Sequence, residues 1–184
     1  AKYEGNIFSV MEEAIPGTDE RVDVVIFLNG FAIMTFELKS KYSGQNYKDA
    51  ITQYKEDRNP NNRLFRFMRG SLVNFAMDTD QVHMTTKLDY KNTTFLPFNR
   101  GRGEGLSTGA GNPLLNEDFP VAYMWEDILK KDMIIELIKK FVYIETKLEE
   151  DPLTAKKTHK QTLIFPRYHQ LDLVRNLIEL SLIH

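Results

Sequence analysis

Two carboxylates and one amine stand out because each interrupts a segment that otherwise reads as protein core. Asp23 follows Arg21-Val22 into the apolar run Val24-Val25-Ile26-Phe27-Leu28, and Glu37 and Lys39 close the run that begins at Phe31. Side chains alternate faces along a strand, so Glu37 and Lys39 share one face while Phe36 and Leu38 point to the other. A carboxylate drawn toward a core needs a partner, and a hard divalent cation is a good one. Two such carboxylates around a cation, with a lysine beside them, have the ingredients for phosphodiester hydrolysis. The cation activates water and neutralises charge on the phosphorus oxygens, and the amine orients the water or stabilises the pentavalent phosphorane. The ordinary alternative is that Glu-x-Lys is a frequent tripeptide and that charged residues at strand ends are solvated caps. The apolar context of both acids separates the two readings.

The elements that must position these residues begin with a hairpin. Val22–Leu28 and Phe31–Lys39 are dense in β-branched and aromatic residues, and Asn29-Gly30 between them is a strong turn signal. An unbulged two-residue turn would place Asp23 opposite Phe36 and hence on the face away from Glu37. A shared cation site therefore requires an odd register, most simply a three-residue connection, Leu28-Asn29-Gly30, with Gly30 at positive φ as a bulge. Ahead of the hairpin, Ile7, Val10, Met11 and Ala14 fall at helical spacing behind an Asn6 cap, predicting a helix over 6–15. After it, Tyr47, Ala50, Ile51 and Tyr54 form a helical stripe of about three turns. Leu72–Met77 and Val82–Leu88 read as two more strands, Trp125 to Phe141 as helical, Glu149–Lys160 as a charged linker, and Tyr168–Leu182 as a helix. The expected fold is α/β, a mixed central sheet flanked by helices.

Composition narrows the function without naming it. With 184 residues and 42% hydrophobic side chains, the chain has enough apolar material for one sizeable core. Its formal charge of -2 lacks the basic excess of many nucleic-acid binders, so any such contact must be local. A local patch exists: Arg58, Arg63, Arg66 and Arg69 are interleaved with Phe65 and Phe67, suiting either backbone phosphates or a solvated edge. The absence of cysteine removes disulfides and thiolate metal sites, and no apolar run is long enough to span a membrane, so a cytoplasmic protein is the default expectation. Five of the 10 glycines lie between Pro97 and Pro113. No Gly-Lys-Ser/Thr follows them, which argues against a phosphate-binding loop and for a flap or docking surface.

Arg21-Val22-Asp23-Val24-Val25-Ile26-Phe27-Leu28-Asn29-Gly30, followed by Phe36-Glu37-Leu38-Lys39-Ser40, resembles the PD-(D/E)xK nuclease motif as it occurs in the R subunits of type I restriction endonucleases. The resemblance extends to the helix containing Gln53, to Thr94–Asn99, Gly109–Pro113, Trp125–Leu129 and Phe165–Gln170. It implies a restriction-endonuclease-like core in which Asp23, Glu37 and Lys39 are catalytic, with Gln53 near the scissile phosphate. Asp23, Glu37 and the Leu38 carbonyl are then ligands of Mg²⁺. The sequence departs from the pattern in carrying Val22 before the catalytic Asp, and Asp57, not Tyr, four residues after Gln53. Arg167-Tyr168-His169-Gln170 is similar to the segment that leads into the ATP-driven motor of these subunits, where such a glutamine helps recognise adenine, as Gln170 would. No Walker A sequence follows, so a fragment of a longer polypeptide is expected, with a nuclease domain at 1–148 and a linker and helix at 149–184.

These readings point to a Mg²⁺-dependent endonuclease acting on double-stranded DNA; the resemblance alone implies methyltransferase and specificity subunits as partners and ATP consumed by the motor. A stand-alone repair or junction nuclease, and a catalytically silent DNA-binding or assembly module, are the alternatives.

Overall fold

A computed structural model describes residues 3–17, 20–101, 111–113, 119–150, 155 and 157–182. Six strands form one sheet in chain order: β1 (Phe8–Ala14), β2 (Val22–Leu28), β3 (Phe31–Leu38), β4 (Val73–Met77), β5 (Val82–Thr85) and β6 (Leu96–Pro97). β3 and β4 run parallel and every other neighbouring pair is antiparallel, so the sheet is mixed. The parallel step requires a crossover, which α1 (Tyr47–Glu56) and the segment after it supply. Helix α1 starts where Asn46 caps Lys48 and Asp49 reaches back to the Asn46 amide, satisfying two donors that a helix start leaves open.

Each face of the sheet has its own core. Val25, Ala76, Ala50, Tyr54, Phe65 and Leu88 lie on the α1 side. Ile26, Met34, Phe36, Phe75 and Met84 pack on the other side against Met124, Ile128, Ile134 and Leu137 of the later helices. Those helices are a π-helical turn at Met124–Ile128, α2 (Lys131–Glu136), and a second π-helical turn at Leu137–Phe141. A sheet flanked by helices, as expected, is thus the architecture. On the α1 face, Tyr54 exchanges a 2.8 Å hydrogen bond with Thr35, whose hydroxyl donates to Asn74 at 2.7 Å. Tyr54, placed on the apolar stripe by its spacing, is fully buried there.

Three expectations are corrected. Residues 6–15 form no helix: Phe8–Ala14 is strand β1, which pairs with β2 from Phe8↔Leu28 to Ala14↔Val22. Val10, Met11 and Ile7 are exposed and only Ala14 is buried, so the helical stripe has nothing to pack against. A short isolated helix is marginal in water, whereas the ladder satisfies the backbone groups along the edge of β2. Asn6, expected as a cap, accepts from Asn29 Nδ2 at 3.0 Å. Glu149–Lys160 is not simply a linker: Glu149 and Glu150 end β7 (Tyr143–Glu150), which pairs with β8 (Lys157–Ile164) in a separate two-stranded sheet, while 151–154 and 156 lie outside the described residues. Its charges form cross-strand pairs, Lys160 with Glu149 and Lys157 with Glu150, on a hairpin solvated on both sides. The position 148/149 falls within β7, and Phe165 and Leu171 beyond it join the main core. The helix α3 (Tyr168–Leu182) stands as read.

The glycine-rich stretch is pinned at its base, where the Gly101 amide donates to the Gly111 carbonyl at 2.8 Å and Arg100 to Asn112 Oδ1 at 2.8 Å. Residues 102–110, including Gly103, Gly105 and Gly109, lie outside the described residues.

Removing the Tyr54 hydroxyl leaves its ring contacts in place and deprives Thr35 of one partner. Tyr54→Phe is expected to lower stability by about 1 kcal/mol without changing the denaturant slope, measured by urea unfolding.

Candidate active site

The register of the first hairpin decides whether the two acids meet. Asn29 and Gly30 both have positive φ, 51° and 82°, and form a two-residue turn with Leu28 opposite Phe31. That turn alone would separate Asp23 from Glu37. The ladder then shifts: Phe27 pairs with Ala32 but Ile26 pairs with Met34, leaving Ile33 as an extra residue in β3. Beyond this bulge Val24 lies opposite Phe36, which brings Asp23 opposite Glu37 on the same face. The odd register and the positive φ of Gly30 are therefore present, but the extra residue sits in the strand and not in the turn. Two left-handed residues make the turn whose twist matches the strands. Ile33 is buried with Met34 in the core opposite the site, which anchors the bulge.

Glu37 is completely buried, and so is its principal partner. Arg58 Nε and Nη2 both donate to Glu37 Oε1, at 2.8 and 2.6 Å, and Nη2 also donates to the Arg21 carbonyl at 2.6 Å. Glu37 Oε2 has no hydrogen-bond partner among the described residues. Burial pushes the Glu37 carboxyl up to about 7, against the pull of Arg58 and Lys39 and with a further push from Asp23. Asp23 is half-buried, and its Oδ2 accepts the Leu38 amide at 2.7 Å. The same backbone stretch that carries Glu37 thus fixes the Asp23 carboxylate. Lys39 is half-buried at the end of β3, where its amide donates to the Met77 carbonyl at 2.9 Å. Adjacent to it, Leu38, Lys39, Met77, Asp78, Thr79, Phe119, Val121 and Trp125 line a small cleft of about 170 Å³.

The structure brings Asp23, Glu37 and Lys39 to one end of the hairpin, beneath α1, where Gln53 is half-buried. It separates Arg58 from the other arginines. At 4% exposure, locked to Glu37, Arg58 has no face for a phosphate, and its role is to neutralise and hold the site's buried acid. The signal was available in the need of a buried strand carboxylate for a partner, but nothing local says which cation answers it. Arg63, Arg66 and Arg69 are exposed, and Arg63 and Arg69 line a larger cleft of about 480 Å³ that reaches to Gly30 and Phe31 at the hairpin turn. Gln170 lies on a different element, where its side chain accepts the Arg167 amide at 2.9 Å at the start of α3.

A bound dication is testable against this geometry. Oε2 of Glu37 is a buried oxygen in want of a donor or cation, and Asp23 lies across from it. Among the described residues no group of three or more His, Cys, Asp or Glu side chains could hold a metal. Two carboxylates suit Mg²⁺, which keeps waters and takes substrate oxygens, better than an ion needing an all-protein cage.

What fold and site define together is a mixed α/β domain with an acidic pair and a lysine gathered at one end of its sheet. Residues 1–93 match the family model of the type I restriction enzyme R protein N terminus, and the chain belongs to that family. Neither the curated proteins nor the solved structures yield a match. No helix among the described residues is long and apolar enough to cross a membrane.

Because its folded pKa is raised, Glu37 favours the folded state below its ordinary value of 4.5, and that contribution is lost as pH rises through about 7. Removing Arg58 leaves an unpaired buried carboxylate only where Glu37 is ionised. Arg58→Ala is expected to lower stability by about 3–5 kcal/mol at alkaline pH and by distinctly less in mild acid. Equilibrium unfolding at the two pH values measures this, and equal losses would show that the pair is not ionic.

Proposed function

We propose that this chain is the nuclease domain of a type I restriction enzyme R protein, a Mg²⁺-dependent endonuclease with a restriction-endonuclease-like, PD-(D/E)xK-type core. The observation that carries the reading is the bulged register that sets Asp23 opposite Glu37 with Glu37 Oε2 left unpartnered. Asp23, Glu37 and the Leu38 carbonyl would hold the cation. When bound it supplies an activated water and charge neutralisation on the phosphate. Arg58 keeps Glu37 in place through Oε1 and leaves Oε2 for the cation. Lys39, on the Glu37 face at the strand end, orients the attacking water or neutralises charge on the phosphorane, and Gln53 contacts the scissile phosphate from α1. Arg63, Arg66 and Arg69 bind flanking phosphates of double-stranded DNA. Family membership supports a complex with DNA and other subunits; the wider setting, by resemblance, would be cleavage after ATP-driven translocation, with Gln170 leading toward the nucleotide site and methyltransferase and specificity subunits as partners in the cytoplasm.

One observation favours a second reading. The Glu37–Arg58 pair balances the buried charge without any cation, as it would in a catalytically silent DNA-binding or assembly module. Metal titration separates the two. Mg²⁺ is expected to raise the melting temperature of the chain, an effect that Asp23→Ala removes. Its apparent affinity should fall with decreasing pH below about 7, because a proton must leave for Glu37 to bind. A melting temperature indifferent to Mg²⁺ at pH 8 would favour the silent module.

In the full-length R protein, Glu37→Ala and Lys39→Ala are expected to abolish DNA cleavage while ATP hydrolysis persists. Wild-type cutting by either variant would show the site to be misassigned. Neutral substitutions of Arg63 and Arg66 are expected to reduce the salt dependence of DNA binding by roughly one unit of slope per lost phosphate contact, read from affinities across a salt series.

A further inference from the structure

The cleft beside Lys39 has a wall that the acidic pair and lysine do not explain. Trp125 is 49% exposed and Phe119 53% exposed, and their rings meet edge to face at 6.2 Å between centroids. Both line the same cleft as Leu38 and Lys39, so an apolar aromatic surface continues directly into the end of the strand that carries Glu37. The local backbone accounts for the exposure. Met124 and Ile128 are buried in the π-helical turn, which leaves Trp125 and Glu126 between them on the outward side. Such turns recur at functional sites. An exposed tryptophan and phenylalanine together are an expensive surface to leave in water.

From this continuity we infer that Trp125 and Phe119 form a stacking platform for one unpaired nucleobase next to the scissile phosphate. The inference rests on the nuclease reading above. The cleft volume of about 170 Å³ suits a single ring system, since a cavity of about 150 Å³ in another protein takes up benzene. Lys39 stands at one side of it, where the phosphate attached to that base would lie. A nucleobase is favoured over an apolar protein side chain because the cleft pairs an aromatic wall with a cationic group at the reaction site. Stacking of this kind is indifferent to base identity, because every base has a π-face. Trp125 and Phe119 are positioning residues in this arrangement: by holding a base out of the duplex on the Leu38 side of the strand end they seat its phosphate against Lys39.

Trp125 is the only tryptophan of the chain, so its fluorescence reports on this surface alone. With metal chelated to prevent cleavage, short oligothymidylate is expected to quench Trp125, and an abasic oligonucleotide of the same length is expected to leave it nearly unchanged. In anisotropy titrations with labelled oligothymidylate, Trp125→Ala should weaken binding by about tenfold or more, whereas Trp125→Phe, which keeps a ring, should retain most of it. Phe119→Ala provides the second variant and should weaken quenching of the retained Trp125. Equal quenching by the abasic strand, no response to either, or a signal that follows protein concentration instead of DNA would each overturn the platform, the last pointing to a protein partner. Asp23→Ala separates this from the nuclease reading. It should lose the Mg²⁺-induced rise in melting temperature and keep the quenching. Quenching in a wild-type chain that ignores Mg²⁺ would sustain base stacking and overturn the nuclease; a metal response without quenching would do the reverse.

Discussion

The candidate site depends on one buried ion pair. Glu37 is buried at the end of β3 on the sheet's α1 face, where an isolated carboxylate would be protonated or would unfold its surroundings. Arg58 answers it from the far end of the crossover, one residue after the α1 C-cap, and ties the same guanidinium to the Arg21 carbonyl just ahead of β2. One side chain thereby joins the start of β2, the end of β3 and the exit of α1. Those three segments carry or border Asp23, Glu37 and Gln53. The pair is incomplete on one side, since both Arg58 nitrogens that reach Glu37 converge on Oε1. The asymmetry holds the carboxylate firmly while leaving its other oxygen available.

A pair of this kind is a poor source of net stability, because desolvating two charges consumes much of what their attraction returns. Its retention in the interior is better understood as a matter of geometry. Burial raises the carboxyl to about 7, neither firmly ionised nor firmly neutral at neutral pH, so on the proposed reading cation binding would be coupled to proton release. Asp23 contributes to this by proximity, and the Leu38 amide that fixes Asp23 belongs to the residue following Glu37. The two acids are consequently positioned by the same few peptide units, and neither can drift without the other.

What the sequence made legible was local. The hairpin, α1, β4 and α3 are each specified by periodicity and turn chemistry within their own residues, and these were readable without neighbours. Asp23 and Glu37 drew notice for a different reason, since acids inside apolar runs violate the local pattern. Reading failed where structure depends on a remote partner. Residues 8–14 carry spacing compatible with a helix, and only the open edge of β2 makes them a strand. The charges of β7 and β8 look like a solvated linker until the strands are paired, which brings Glu150 to Lys157 and Glu149 to Lys160. Arg58 sat in a run of arginines and was grouped with them, although burial sets it apart from Arg63, Arg66 and Arg69. The exposed pair Phe119 and Trp125 left no trace in periodicity, because exposure is decided by what fails to cover a residue.

The Ile33 bulge makes the hairpin a counting device. Side-chain direction in a strand has only two values, and the bulge changes the count between Val24 and Phe36 from even to odd. Loss or gain of a single residue anywhere in that interval would send one acid to the opposite side of the sheet, into the apolar packing around Phe36 and Phe75. Changes in pairs would preserve the arrangement. Homologous hairpins should therefore tolerate wide variation in side chains here, and in turn length by two residues at a time, while lengths differing by one should coincide with a bulge gained or lost elsewhere in the same two strands. Parity, more than any particular residue between the acids, is what sets the two carboxylates on one face in this stretch of chain.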